Sequence, residues 1–135
     1  MKNNYLFLLA LAITFLSCSD SDETCLAIID GELLEVVLDE TPQLINDNPP
    51  WAQNLNYPAE ARENGIQGIV EIEYAVSETG VFQELSIKKD IGGGCGTACI
   101  EFLSPYVGQT LFHPGIYRDE TVKVYKILPI EFKLP

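Results

Sequence analysis

Alternation of apolar and polar side chains is clearest at the end of the chain. Over Glu120 to Leu134, ETVKVYKILPIEFKL, the even positions carry Val122, Val124, Lys126, Leu128, Ile130, Phe132 and Leu134. The odd positions carry Thr121, Lys123, Tyr125, Ile127, Pro129, Glu131 and Lys133. A period of two marks a β-strand with one apolar face. Pro129 cannot donate to a ladder, so this strand is expected at a sheet edge, at least locally. Two earlier runs alternate in the same way. Gly68 to Val76 sets Val70, Ile72, Tyr74 and Val76 against Glu71 and Glu73. Val81 to Lys89 sets Val81, Leu85 and Ile87 against Glu84, Ser86 and Lys88. Ser77-Glu78-Thr79-Gly80 joins the two runs, and together they predict a hairpin.

Two stretches carry helix signals instead. Pro58 suits a first helical position, Ala59 to Glu63 are helix formers, and Asn64-Gly65 is a stop. Thr97 to Leu103 predicts a second helix with Ala98, Cys99, Phe102 and Leu103 as its buried stripe, ended by Pro105. Tyr106 to Asp119 reads as a loop around Phe112-His113-Pro114-Gly115. Further upstream, Cys25 to Ile29 is apolar and Asp30-Gly31 is a turn signal. Glu32 to Leu38 fits a strand or a turn of helix, with Val36, Val37 and Leu38 favouring strand. Asp39-Glu40-Thr41-Pro42 breaks it, and Trp51, after Asn46 to Pro50, is expected on the domain surface. The expected fold is α+β: a small three-stranded antiparallel sheet with two helices packed on one face.

The first residues do not belong to that domain. Lys2 precedes an apolar run from Tyr5 to Leu16, followed by Ser17-Cys18, which describes a secretory signal over residues 1–17. A cysteine directly after such a run resembles a bacterial lipoprotein signal, although Phe15-Leu16-Ser17 departs from the usual Leu-Ser/Ala-Gly/Ala. By that resemblance Cys18 carries the lipid, and the chain is anchored to a membrane without spanning it. The alternative is plain secretion, with Cys18 an ordinary thiol. Residues 18–50 are read as an acidic tether and N-terminal extension, with Ser19 to Glu23 flexible, and residues 51–135 as the folded domain.

Charge narrows the class of partner. The formal net charge is −12 over 135 residues, and removing the signal takes one lysine and no acid. No Lys or Arg occurs between Cys18 and Arg62. Such a surface argues against nucleic acid and against charge-driven binding to anionic lipid. It favours basic partners, though weakly.

The residues that suggest chemistry mostly have bland readings. Gly92-Gly93-Gly94-Cys95-Gly96-Thr97 lies between a strand and a helix, where a phosphate loop would sit, but no Gly-Lys-Ser/Thr ending is present. It reads as a bend. Cys95 and Cys99 lack C-x-x-C redox spacing and have no zinc partners around them; His113 is the single histidine, and no metal or cofactor is expected. With Cys18 assigned to lipid, Cys25, Cys95 and Cys99 permit one internal bridge. The local Cys95–Cys99 pair is the preferred candidate, and Cys25 bridged to either is the alternative. Glu71 and Glu73 read as a solvated sheet face rather than a catalytic pair. No nucleophile has an evident base beside it, so the chain is not expected to be an enzyme.

Taken in order, the pieces resemble a known family. Tyr57-Pro58 with Ala59 and Ala61, Gly65-Ile66 before Gly68, the Gly80 turn, Ile91-Gly92-Gly93-Gly94-Cys95, Phe112-His113-Pro114-Gly115 and Leu128-Pro129-Ile130-Glu131-Phe132 together resemble the C-terminal domain of TonB, in its Bacteroidetes-like form. The resemblance implies the same α+β sheet. It also implies a role in TonB-dependent transport: the last strand pairs with a short extended segment of an outer-membrane transporter. Carried over, the partner-binding edge is Val122, Lys123, Val124, Tyr125, Lys126, Ile127 and Leu128. No long Pro-rich, periplasm-spanning segment is present, so the expectation is a lipid-anchored binding module of the Gram-negative envelope, at the periplasmic or surface face of the outer membrane. The competing reading is a structural lipoprotein that homodimerises through its last strand.

Overall fold

In a computed structural model of the chain, residues 24–51 and 55–135 are described. The proposed signal, Cys18 and the Ser19–Glu23 tether lie outside them. Eight strands and two α-helices follow one another: β1 (Thr24–Ile29), β2 (Glu32–Val37), β3 (Gln43–Leu44), α1 (Ala59–Glu63), β4 (Gly68–Val76), β5 (Phe82–Lys89), α2 (Cys95–Leu103), β6 (Phe112–His113), β7 (Gly115–Tyr117) and β8 (Glu120–Phe132). The helices are the two expected ones. α2 begins two residues earlier than the sequence suggested and gives way to a 3-10 turn, Ser104–Tyr106, that contains Pro105.

The sheet has six strands, not three. Its order is β2-β1-β8-β4-β5, with β7 also paired to β8, and all of its pairings are antiparallel. Two of the three additional strands come from residues read as an extension. β1 and β2 form a hairpin that pairs without a break from Thr24↔Val37 to Ile29↔Glu32. Asp30 and Gly31 at its tip both have positive φ, 52° and 85°, as a two-residue turn matched to strand twist requires. β7 adds the sixth strand, turning into β8 through Arg118 and Asp119, again with positive φ (50° and 65°).

One face of this sheet carries the core. Val70, Ile72, Tyr74 and Val76 of β4 lie beneath α2, where Cys95, Cys99 and Leu103 are buried; Ala98 and Phe102 are only partly so. Trp51 is half-buried rather than superficial, stacked on Phe82 at 5.2 Å and edge-on to Tyr106 at 6.1 Å. A second cluster continues along the sheet: Cys25, Ala27, Leu38, Val122 and Val124. Each fully buried aliphatic side chain contributes about 1.5–3 kcal/mol relative to exposure, so the hairpin is an integral part of the fold.

The β4–β5 hairpin departs from simple alternation. Val76 faces Phe82 and Ala75 faces Gln83, but Glu73 faces Ser86, and a further shift separates Ile72↔Ile87 from Glu71↔Lys89. β5 therefore takes up extra residues, and Glu84 sits at φ 59° within it. The inward phase changes at that bulge. Phe82 is fully buried, where simple alternation had pointed Val81 inward. Gly80 closes the turn at φ 85°, where a Cβ would fall 1.9 Å from the Phe112 carbonyl oxygen; that oxygen's neighbours are fixed by amides of Leu111 and Phe112 donating to Gly80 O.

Candidate functional site

The final strand lies between β4 and β1, and is flanked by both at Val124 and Tyr125. On one side β8 pairs with β4 from Val76↔Val124 to Gly68↔Phe132. On the other, β1 covers Lys123 to Tyr125, through Ile28↔Lys123, Ala27↔Val124 and Leu26↔Tyr125, and β7 pairs with Glu120 to Val122. Of the expected partner-binding edge, Val124 and Tyr125 are thus already paired with both β4 and β1, Lys123 pairs with β1, and Val122 pairs with β7. Lys126 donates from Nζ to the Pro42 carbonyl at 3.2 Å. Ile127 and Leu128 pair with Glu73 and Ile72 of β4, and among the described residues no strand register is formed on their other side. Pro129 lies in this same one-sided stretch, opposite Glu71. The inference from its missing N–H was correct locally and wrong for the strand as a whole. Ala27, fully buried against the Val124 level of the sheet, shows why: β1 buries an apolar face there that it would otherwise expose.

A last-strand homodimer meets the same obstacle. Each residue from Glu120 to Tyr125 already has a partner in β7 or β1, and Val124 and Tyr125 have a second in β4.

The cysteines do not form the expected bridge. Cys95 and Cys99 are both free thiols, and so neither is joined to Cys25. They lie one turn apart on α2, where Cβ vectors run parallel and a bridge would be strained. Burial pushes the Cys99 thiol up to about 12, with Cys95 and Asp90 adding to the shift. Cys95 is raised as well, by burial first and then by Asp90. Raised thiols are poor nucleophiles, which suits a packing role.

The glycine-rich bend is organised by a carboxylate. Asp90 Oδ1 accepts from the amides of Ile91 (2.7 Å), Gly92 (3.1 Å) and Gly96 (3.0 Å). Donors that would cradle a phosphate are held by the chain's own anion. Gly93 (φ 63°) sits against Ala61 and Ile66, where a Cβ would come within 2.8 Å of both side chains. The bend therefore docks α1 against α2. His113 is exposed on β6, and the described residues contain no group of three or more His, Cys, Asp or Glu arranged to hold a metal. Glu71 and Glu73 lie on the sheet face opposite the core, with Lys88 Nζ 3.9 Å from Glu73. No described helix is long and apolar enough to cross a membrane.

What remains as a site is backbone on the margins of the sheet. A family model for the C-terminal domain of Gram-negative bacterial TonB proteins matches residues 53–134. The chain belongs to the TonB C-terminal family. Its members are protein-interaction domains of the Gram-negative envelope and engage outer-membrane transporters. No curated protein matches the chain. The TonB C-terminal match begins after β1, β2 and β3, so the hairpin that covers β8 lies outside the matched region.

Proposed function

We propose that this chain is a protein-binding module of the envelope, held to the outer membrane by lipid on Cys18, that takes an extended segment of a TonB-dependent transporter as an added β-strand. Family membership over residues 53–134 carries this reading. Strand addition needs unpaired backbone, and among the described residues no strand pairs with the second side of Ile127 to Phe132 of β8 or with the outer sides of β2 and β5. The role is binding, without catalysis or a cofactor. Nothing in the proposal requires transmission of force from the inner membrane. The test is titration of the isotope-labelled protein with peptides from the plug segments of transporters. Amide shifts are expected along an open strand margin, and an unchanged spectrum across the whole sheet rejects the reading. Labelling with radioactive palmitate, lost in Cys18→Ser, tests the anchor.

A further inference from the structure

We infer that the docking edge of this protein is the outer side of β2, and that it accepts an extended segment alternating basic and apolar side chains. The inference rests on the strand-addition reading above and fixes its location and the chemistry of the guest.

Three observations converge on β2. It is the terminal strand of the sheet, and its six residues pair with β1 without a bulge. It carries no lysine and no proline, the usual devices that blunt an edge. Of the seven large apolar residues that are exposed among the described residues, three belong to it: Leu33 at 55%, Leu34 at 41% and Val37 at 50%. Leu33 and Val37 flank Glu35 on one face, and Leu34 lies beside Glu32 on the other, so both faces present an apolar side chain next to a carboxylate.

Charge selects the occupant. Residues 24–51 contain six acids, Asp30, Glu32, Glu35, Asp39, Glu40 and Asp47, and no lysine or arginine. Neither Glu32 nor Glu35 has an ion pair among the described residues; Glu35 accepts from the Thr24 hydroxyl at 2.7 Å. A guest strand that sets Lys or Arg opposite these carboxylates gains from each cross-strand pair, and its alternate apolar residues cover Leu33, Leu34 and Val37. A second copy fits poorly. It would bring two acidic hairpins together along about 20 Å of strand, where like charges set opposite one another destabilise the pairing.

The test uses two capped heptapeptides, one alternating Lys and Val, the other Glu and Val, titrated into the isotope-labelled protein. The Lys/Val peptide should shift amides of Glu32 to Val37 and weaken with added salt. In Glu32→Lys/Glu35→Lys, whose changes are at exposed positions, its affinity should fall by roughly three- to tenfold and the Glu/Val peptide should bind instead. Equal binding of the Lys/Val peptide to both proteins overturns the charge selection. Transporter peptides that shift Ile127 to Phe132 while β2 stays silent overturn the inference and leave the proposed function standing. Silence on every strand with every peptide removes both. A dimer of the protein alone, abolished by the double change, makes the occupant a second copy and overturns the inference.

Discussion

The two margins of the sheet are built in opposite ways. β5 is bulged twice against β4, holds Glu84 at positive φ and ends in Lys88-Lys89, all of which disfavour another strand beside it. β2 is regular, apolar and acidic, with no such device. The lesson is that openness to a guest belongs to the detailed shape of a margin, not to its place in the chain. The segment that closes the sequence carries the proline and has the clearest alternation, yet it became interior because a hairpin from the N-terminal side lies along it.

The largest effect should come from separating that hairpin from the sheet. Ala27→Asp would bury an unpaired carboxylate beside Val124 and is expected to cost about 3–5 kcal/mol. Lys88→Ala on the opposite margin should stay within about 0.5 kcal/mol. Urea midpoints compare the two, and equal losses would mean that the hairpin is a loose appendage.

Next in size is the turn itself. Gly31→Val forces a branched residue to φ 85° and should cost roughly 1–2 kcal/mol. Amide exchange should quicken across Thr24 to Val37 and at Lys123 to Tyr125, while Phe82 to Lys89 keeps its protection. Uniform acceleration would show the two margins to be one cooperative unit.

Alkaline pH should act on the α2 side. The folded state holds the Cys99 proton up to about 12, while the unfolded thiol releases it near 9.0. The native state then binds more protons than the unfolded one, so stability falls as pH rises through that window. Cys95→Ala/Cys99→Ala should flatten the decline, measured by melting temperature from pH 8 to pH 11. A decline of equal slope in the double variant would assign it to other groups.

The smallest effect concerns the ion pair between Lys123 and Glu84, which ties the central strand to the β5 bulge. Its hydrogen bond to Glu84 raises the lysine, so its contribution is present below 10.5 and is lost as pH climbs past the folded value. Both side chains are partly exposed, and Lys123→Met should cost less than about 1 kcal/mol, as read from urea midpoints. A larger loss would make the bulge depend on the pair.

Much of the fold was legible because it rests on short-range pattern. Pro58 and Gly65 bounded α1, and alternation located β4 and β8. The hairpin of β1 and β2 was half visible through Asp30-Gly31, but pairing of Ala27 with Val124 leaves no local trace. The bulge at Glu84 was hidden because no glycine marks it, and it moved the buried aromatic from the expected phase to Phe82. Arg118-Asp119 escaped notice for the same reason, which left β7 inside a presumed loop. The candidate site suffered most, since whether Lys123 to Tyr125 is open depends on residues far upstream.

The central position of the closing strand also governs how the molecule is made. The β1–β2 ribbon and the β4–β5 ribbon can each form early, but the sheet has no strand between them until Glu120 to Phe132 has been synthesised and slots in. Assembly of the sheet therefore waits for that segment and depends on pairings between distant parts of the sequence, a topology that folds slowly. A frameshift or nick just before Glu120 would leave the sheet as two separate ribbons rather than a shortened domain.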